Sequence, residues 1–276
     1  YSRLKELEKY PNFKFFKLDI SNYDDLSKIF NDFHPLAVVN LAAQAGVRYS
    51  LENPFAYMSS NIVGFLNVIE LCKDYKVKGL IYASSSSVYG GNKKIPFSVD
   101  DRVDKPISLY AASKRSNELI AYTYSHLYNL HTTGLRFFTV YGPWGRPDMA
   151  MYIFADNISK GKDIEVFNNG DMSRDFTYID DIVHGIRKSI DKNYKCEVFN
   201  LGNNKSEKLL DIVKYIENNL NLKASVKFEP MQPGDVKRAN ADIDKSIKML
   251  DYNPCTNVDT GIEKFISWYK KYNSIL

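Results

Sequence analysis

Tyr110 and Lys114, four residues apart in the segment YAASK, are the residues of this chain best spaced for proton chemistry. On a helix, positions i and i+4 share a face, so the ammonium can lie beside the phenol. A phenol with a pKa of about 10 is a poor base near neutrality, and a neighbouring cation favours its phenolate. Tyr1/Lys5 and Tyr10/Lys14 repeat the spacing. Only the pair at Tyr110 follows a serine run, Ser84, Ser85, Ser86 and Ser87, about 25 residues upstream. Hydroxyls at the carboxyl end of a strand can donate to a sugar hydroxyl or to a developing oxyanion. A second segment, NLAAQAGVRYS from Asn40, places Ala42, Ala43, Ala45 and Gly46 in one turn. These small residues either admit a flat ligand to the backbone or pack a tight turn. Arg48 in that turn is either an anion contact or a solvated surface arginine.

Apolar runs bounded by turn residues alternate with amphipathic stretches, the pattern of βαβ units and a parallel sheet. Strands are predicted over 13–20, 37–41, 79–83 and 132–138, and helices over 23–33, 54–75 and 108–128. The stretch 37–41 reads as a short buried strand. After Gly142 the texture changes. The loop YGPWGRPD over 141–148 carries two prolines and two glycines. Beyond it come a helix near 149–160, a strand at 164–167 and helices over 179–191, 206–220 and 258–272. The segment 196–201 is expected to return to the main sheet. Two units follow: 1–142, with segments near 171–202 open to assignment there, and a smaller one over 143–276. In such folds the ligand lies at the carboxyl ends of the strands.

The 276 residues are 44% hydrophobic and 25% charged, which excludes a disordered or collagen-like chain. The net charge is +4, with lysines scattered rather than massed, so no nucleic-acid partner is expected. Mild positive charge suits a small anionic substrate. The longest apolar stretches fall short of the ~18 residues of a membrane span. Cys72, Cys196 and Cys255 are odd in number and far apart, as in a reducing, cytoplasmic chain. No metal-ligand spacing occurs among the four histidines.

The motifs LDI (18–20), NLAA (40–43), ASSSSVYG (83–90), YAASK (110–114) and LRFFTVYGPWGRPDMA (135–150) resemble the extended short-chain dehydrogenase/reductase family. Within it the resemblance is to nucleotide-sugar 4-epimerases, and especially to UDP-glucuronate 4-epimerases. It covers nearly the whole chain, with the motifs in family order. It implies an α/β fold, a Rossmann-like doubly wound parallel sheet with a smaller C-terminal α/β substrate lobe, and NAD as a bound cofactor. One departure is large: no GxxGxxG turn, the usual cradle for the NAD pyrophosphate, occurs. The chain opens at Tyr1, inside what reads as a helix end over 1–10. The expectation is that about one βαβ unit, roughly 50 residues, is missing, and that this chain alone binds NAD poorly.

The resemblance assigns roles. Asp19 and Ile20 lie beside the adenine, and Leu41, Ala42 and Ala43 along the cofactor. Lys114 holds the nicotinamide ribose, with Phe137 near the ring. Asn61 either touches the cofactor or is an exposed polar helix position. Tyr110 is the general base for the sugar C4 hydroxyl, Lys114 lowers its pKa, and Ser85 shares the C4 oxygen. Ser86, Ser87 and Thr139, with Arg146, match a pattern for a C6 carboxylate. Arg174 meets the diphosphate. Gln232 and Asp235 fall where relatives place an arginine and an aspartate near the phosphate and ribose, and Gln232 departs from that arginine. Related dehydratases carry an Asp-Glu pair in the serine segment, and decarboxylases a glutamate; no carboxylate stands in 83–89. The expected reaction is 4-epimerisation of UDP-glucuronate to UDP-galacturonate through a transient 4-keto sugar. The alternatives are a UDP-galactose or UDP-N-acetylhexosamine 4-epimerase, or a non-catalytic nucleotide-binding scaffold. The expected assembly is a homodimer through helices 54–75 and 108–128, with Tyr122, Tyr124 and Tyr128 supplying apolar surface.

Overall fold

The computed structural model describes residues 1–232 and 236–275. A short helix α1 (Ser2–Leu7) leads into an extended segment and then helix α2 (Tyr23–Phe33), capped where Asn22 Oδ1 accepts from Asp25 N at 3.2 Å. Strand β1 (Val38–Asn40) precedes helix α3 (Pro54–Asp74), and strand β2 (Leu80–Ser85) precedes helix α4 (Leu109–Tyr128). Strands β3 (Thr132–Phe137) and β4 (Thr139–Tyr141) follow, then helix α5 (Ala150–Ser159) and strands β5 (Asp163–Phe167) and β6 (Ser173–Tyr178). Helix α6 (Ile179–Lys192), strands β7 (Cys196–Leu201) and β8 (Ser206–Lys208) and helix α7 (Leu209–Leu220) come next. Strand β9 (Ser225–Glu229), helix α8 (Asp244–Leu250) and helix α9 (Val258–Tyr272) complete the chain.

The main sheet is parallel, in the order β1-β2-β3-β7, so the segment after Lys195 does return to it. Successive side chains of a strand point to opposite faces. Leu80 and Tyr82 accordingly pack with Phe65 and Ile69 of α3, whereas Ile81 packs with Leu135, Phe199 and Ile182 of α6 on the other face. Helices thus cover both faces, as a doubly wound sheet requires. A third core joins α5, α7 and α9 to β5 and β6. There β4 and β6 run parallel with β8 antiparallel, and β5 pairs β9.

Four expectations are corrected. Residues 13–20 form no strand: the segment is extended but pairs with no ladder partner among the described residues. The strand near 37–41 is shorter and half-exposed, an edge of the sheet, with Leu41 51% accessible. Strands β6, β8 and β9 appear where none was predicted, and β8 takes the first three residues of the helix expected over 206–220. Helix α3 has a mean hydropathy of 1.3 and is long and apolar enough to cross a membrane by composition, although 44% of that window is buried in the fold.

Strand β6 contributes Asp175, fully buried and with no cation paired to it among the described residues. Its carboxylate accepts from Asn203 N at 2.6 Å, Asn204 N at 3.0 Å, Ala241 N at 3.1 Å and Thr177 Oγ1 at 3.1 Å. Burial outweighs these bonds and pushes its pKa up to about 6 from an ordinary 3.8. A raised pKa means that the protonated form suits the fold. The group's contribution is full below pH 3.8 and is lost as the pH rises through 6, by up to about 3 kcal/mol. In Asp175→Asn, stability relative to wild type is therefore expected to rise by up to that amount between pH 4 and pH 7. Denaturant unfolding of both proteins at the two pH values measures it.

Candidate active site

The parallel register aligns Ser85 of β2 with Phe137 of β3, and Phe137 with Leu201 of β7, so the strands end level. Ser85 Oγ then accepts from Ser87 N at 3.1 Å and starts the 3₁₀ turn Ser86–Tyr89. Ser86 and Ser87 lie half-buried in that turn, and Thr139 half-buried at the start of β4. Ser108 caps helix α4 by accepting from Ala111 N at 3.1 Å, which puts Tyr110 and Lys114 in the first two turns, facing the ends of the strands. Ser85 faces the Tyr110 phenol.

The electrostatics differ from the expected pairing. Lys114 is buried, and its Nζ donates to the Ala83 carbonyl at 2.8 Å. Burial raises the Tyr110 pKa, and the groups that oppose it are Ser85 and the Arg146 charge. Burial lowers Lys114 from 10.5 to about 8. With one carbonyl partner among the described residues, the buried ammonium keeps donors for further oxygen acceptors.

Arg146 reaches this place from the 141–148 loop. Its guanidinium pairs with Asp148 and lies 4.0 Å from the position a Cβ would take at Gly46 (φ 103°), beside the Tyr57 hydroxyl. Tyr57 donates to Gly46 O at 2.5 Å and to Ala45 O at 3.1 Å, and its ring meets the Tyr110 ring edge-on at 6.1 Å. Gly46, Tyr57, Tyr110 and Arg146 thus form one wall.

Asn61 is not an exposed polar position. It is buried in the π-helical stretch Met58–Val63 of α3 and serves as a clamp. Its Oδ1 accepts from Gln44 N at 2.8 Å, and its Nδ2 donates to Gln44 O and to Ser113 Oγ, both at 3.0 Å. Widened turns leave carbonyls short of donors, and Asn117 Nδ2 supplies one to Asn61 O at 2.7 Å. This ties the small-residue turn after β1 to the helix carrying Tyr110.

Sequence reasoning misses the charged pair behind the site. Glu118, one turn beyond Lys114, takes Arg136 of β3 in a two-pronged bond, Nε to Oε1 at 2.8 Å and Nη2 to Oε2 at 2.9 Å. Ser84 Oγ donates to Glu118 Oε1 at 2.6 Å, and Arg115 Nη1 to Oε2 at 2.8 Å. Burial raises the Glu118 carboxyl, but these donors outweigh it and hold it below the usual range. Arg136 also donates to the Tyr89 hydroxyl at 3.1 Å, and Tyr89 to Asn200 Oδ1 of β7 at 2.6 Å. An arginine inside the apolar run 132–138 is the signal that a buried carboxylate must exist.

The remaining predicted residues make contacts of their own. Asp19 accepts from Ser21 N at 2.9 Å and Ser21 Oγ at 2.8 Å, and Ile20 packs on Gly64 of α3. Leu41 and Ala42 are exposed and Ala43 half-buried beyond β1. Arg48 stacks over the Phe167 ring, 5.0 Å from its centroid. Arg174 Nη1 donates to Ser173 O at 3.0 Å and Lys237 O at 3.2 Å. Gln232 Oε1 is buried and finds no partner among the described residues. Asp235 lies outside the described residues.

A level row of parallel strand ends with Ser85 on one of them, faced by Tyr110 and Lys114 of α4, is the arrangement of a nucleotide-handling α/β enzyme. Residues 1–202 match the model of the NAD dependent epimerase/dehydratase family, and the chain belongs to that family. It is 45% identical over 272 residues to the UDP-glucuronate 4-epimerase of Thermodesulfobacterium geofontis, covering 98% of this chain and 84% of that protein. The crystal structure of UDP-glucuronic acid 4-epimerase from Bacillus cereus, in complex with UDP-glucuronic acid and NAD, superimposes with a TM-score of 0.92. The identity is 35%, over 98% of this chain and 86% of that one. UDP-glucose 4-epimerase of Thermotoga maritima with UDP-glucose gives 0.91 at 28% identity, over 96% and 86%. Near-equal scores for proteins with different sugars mean that side chains, rather than the fold, distinguish those sugars.

Lys114 provides a test of the site's energetics. Its lowered pKa disfavours the ammonium in the fold. The group's contribution is full above pH 10.5 and falls as the pH drops through 8, a deficit of about 3 kcal/mol at neutrality. Lys114→Met is expected to melt at a higher temperature than wild type at pH 7, the gain shrinking towards pH 10. Thermal unfolding followed by circular dichroism reads both.

Proposed function

We propose that the protein interconverts UDP-glucuronate and UDP-galacturonate by 4-epimerisation, with NAD as a resident cofactor. The observation that carries this reading is the wall that brings the Arg146 charge to Tyr110 and Tyr57 beside Ser85. A guanidinium there offers a C6 carboxylate a charged, two-pronged partner. The run Ser85, Ser86 and Ser87 adds neutral donors, and the stretch 83–89 carries no carboxylate of the kind that eliminates water or assists decarboxylation in related enzymes.

Bound NAD would supply a reversible hydride acceptor for the sugar C4. The residues present fit its nicotinamide-ribose half: buried Lys114 supplies ammonium donors for ribose hydroxyls, and Phe137 lies level with Ser85. Asp19, Ile20, Leu41, Ala42 and Ala43 line the way to its adenine half in this reading. No GxxGxxG turn is available for the diphosphate within the 276 residues. Tyr110 removes the C4 hydroxyl proton and Ser85 steadies the same oxygen, so both serve whichever face is exposed. Arg48, Arg174, Gln232 and Asp235 are assigned to the nucleotide end, and Thr139 to the sugar. Self-association through α3 and α4 belongs to the same reading, supported by exposed Phe55, Met58, Leu119 and Tyr122. So does a cytoplasmic setting, supported by three cysteines that are all free.

Proton NMR of UDP-glucuronate incubated with the full-length protein, without added reductant, is expected to show the C4-inverted sugar accumulating. Tyr110→Phe is expected to lower the rate by at least about 10²-fold, the scale of a lost general base. An unaltered rate in that variant would refute the mechanism. Arg146→Ala is expected to weaken UDP-glucuronate affinity by about ten-fold or more while leaving UDP-glucose affinity unchanged. Calorimetric titration with the two sugars makes that comparison.

A further inference from the structure

Arg146 sits on a loop whose geometry is held from far along the chain. Trp144, two residues before it, has a φ of +62°, a left-handed conformation in which a bulky side chain is an outlier. Such a conformation persists only where the surroundings over-determine it. Here the surroundings are aromatic. The Trp144 ring lies 5.4 Å from Trp268 and 5.4 Å from Tyr272, both on the last helix α9. Trp268 and Tyr272 stack on each other at 5.1 Å and 19°. Tyr152 and Phe265 close around Trp268 at 6.4 and 6.0 Å. The loop closes on itself through Gly145 N to Gly142 O at 3.1 Å, and Arg3 donates to Gly145 O at 2.9 Å.

We propose that Trp144, packed against the stacked pair of Trp268 and Tyr272, is a latch that aims Arg146 at the sugar, making these aromatic residues positioning residues for selection of an acidic sugar. The inference rests on the reading of Arg146 given above. A flat ring fixed two residues from a guanidinium removes the freedom that the loop's glycines at 142 and 145 would otherwise give it. Arg146 is only half-buried and holds its own Asp148, so no core packing sets its direction. The anchor is the part of the loop that does. Losing it leaves Tyr110, Ser85 and Lys114 in place, because they belong to the main sheet and α4.

The test compares affinities for UDP-glucuronate and UDP-glucose by calorimetry, using full-length wild-type protein, Trp268→Ala, Trp268→Phe and Trp144→Gly. Trp144→Gly removes the anchor while relieving the positive φ, so it does not depend on tolerating a strained backbone. Both Trp268→Ala and Trp144→Gly are expected to lose about ten-fold in UDP-glucuronate affinity and less than about two-fold for UDP-glucose. Trp268→Phe is expected to retain the preference. Equal losses for both sugars, or a wild-type preference preserved in both anchor variants, would overturn the latch. Wild-type protein that binds the two sugars equally would instead overturn the acidic-sugar reading on which the latch rests.

Discussion

The buried pair of Glu118 and Arg136 is the interaction on which the rest of the architecture depends. The elements that carry Ser85, Tyr110 and Lys114 are all bonded to it: β2 through Ser84, α4 through Glu118 itself, and the serine turn through Tyr89, with β3 supplying Arg136. A buried ion pair is a poor source of net stability, because desolvation offsets most of its attraction. Its value here is registry. Each carboxylate oxygen takes two donors, and a helix that slid along the sheet would strand both charges. The pair therefore fixes the height of Tyr110 and Lys114 against Ser85 more tightly than apolar packing could.

The site is assembled in a graded way. Ser85, Tyr110 and Lys114 rest on regular elements, whereas Arg146 and Arg48 rest on turns. Rigid positioning suits groups that must share one oxygen, while recognition of a substrate's periphery tolerates a loop. Asn61 bridges the two regimes by tying the turn after β1 to α4.

Much of the fold is legible in the sequence because apolar runs stop abruptly at polar or small residues. The ends of β2 and β3, the Ser108 cap and the span of α9 are of this kind. Tyr110, Lys114 and Ser85 are legible because their spacing recurs in a known family. Short strands are not: β8 has three residues and β9 alternates charged and apolar positions, so neither separates from loop or helix. Residues 13–20 have strand composition but pair with nothing among the described residues, and composition cannot supply a partner. The polarity of Asn61 and Lys114 is legible, but not their partners, since backbone carbonyls leave no mark in a sequence. The Glu118–Arg136 match is hidden among 37 basic and 33 acidic residues.

The chain leaves the main sheet at Phe137 and rejoins it at Cys196, and this excursion has a consequence in time. Among the described residues Tyr89 finds its acceptor on Asn200, and Asn200 is held in turn by Phe97 O and Asp242 O. The polar network behind the first three strands is therefore open until the return strand docks. Contacts so distant in sequence form slowly, since long loops must close before they are rewarded. On a ribosome adding about 5–20 residues per second, Arg136 is made several seconds before Asn200. The nascent first half must wait with its charged core incomplete, which makes β7 the strand whose arrival closes the molecule.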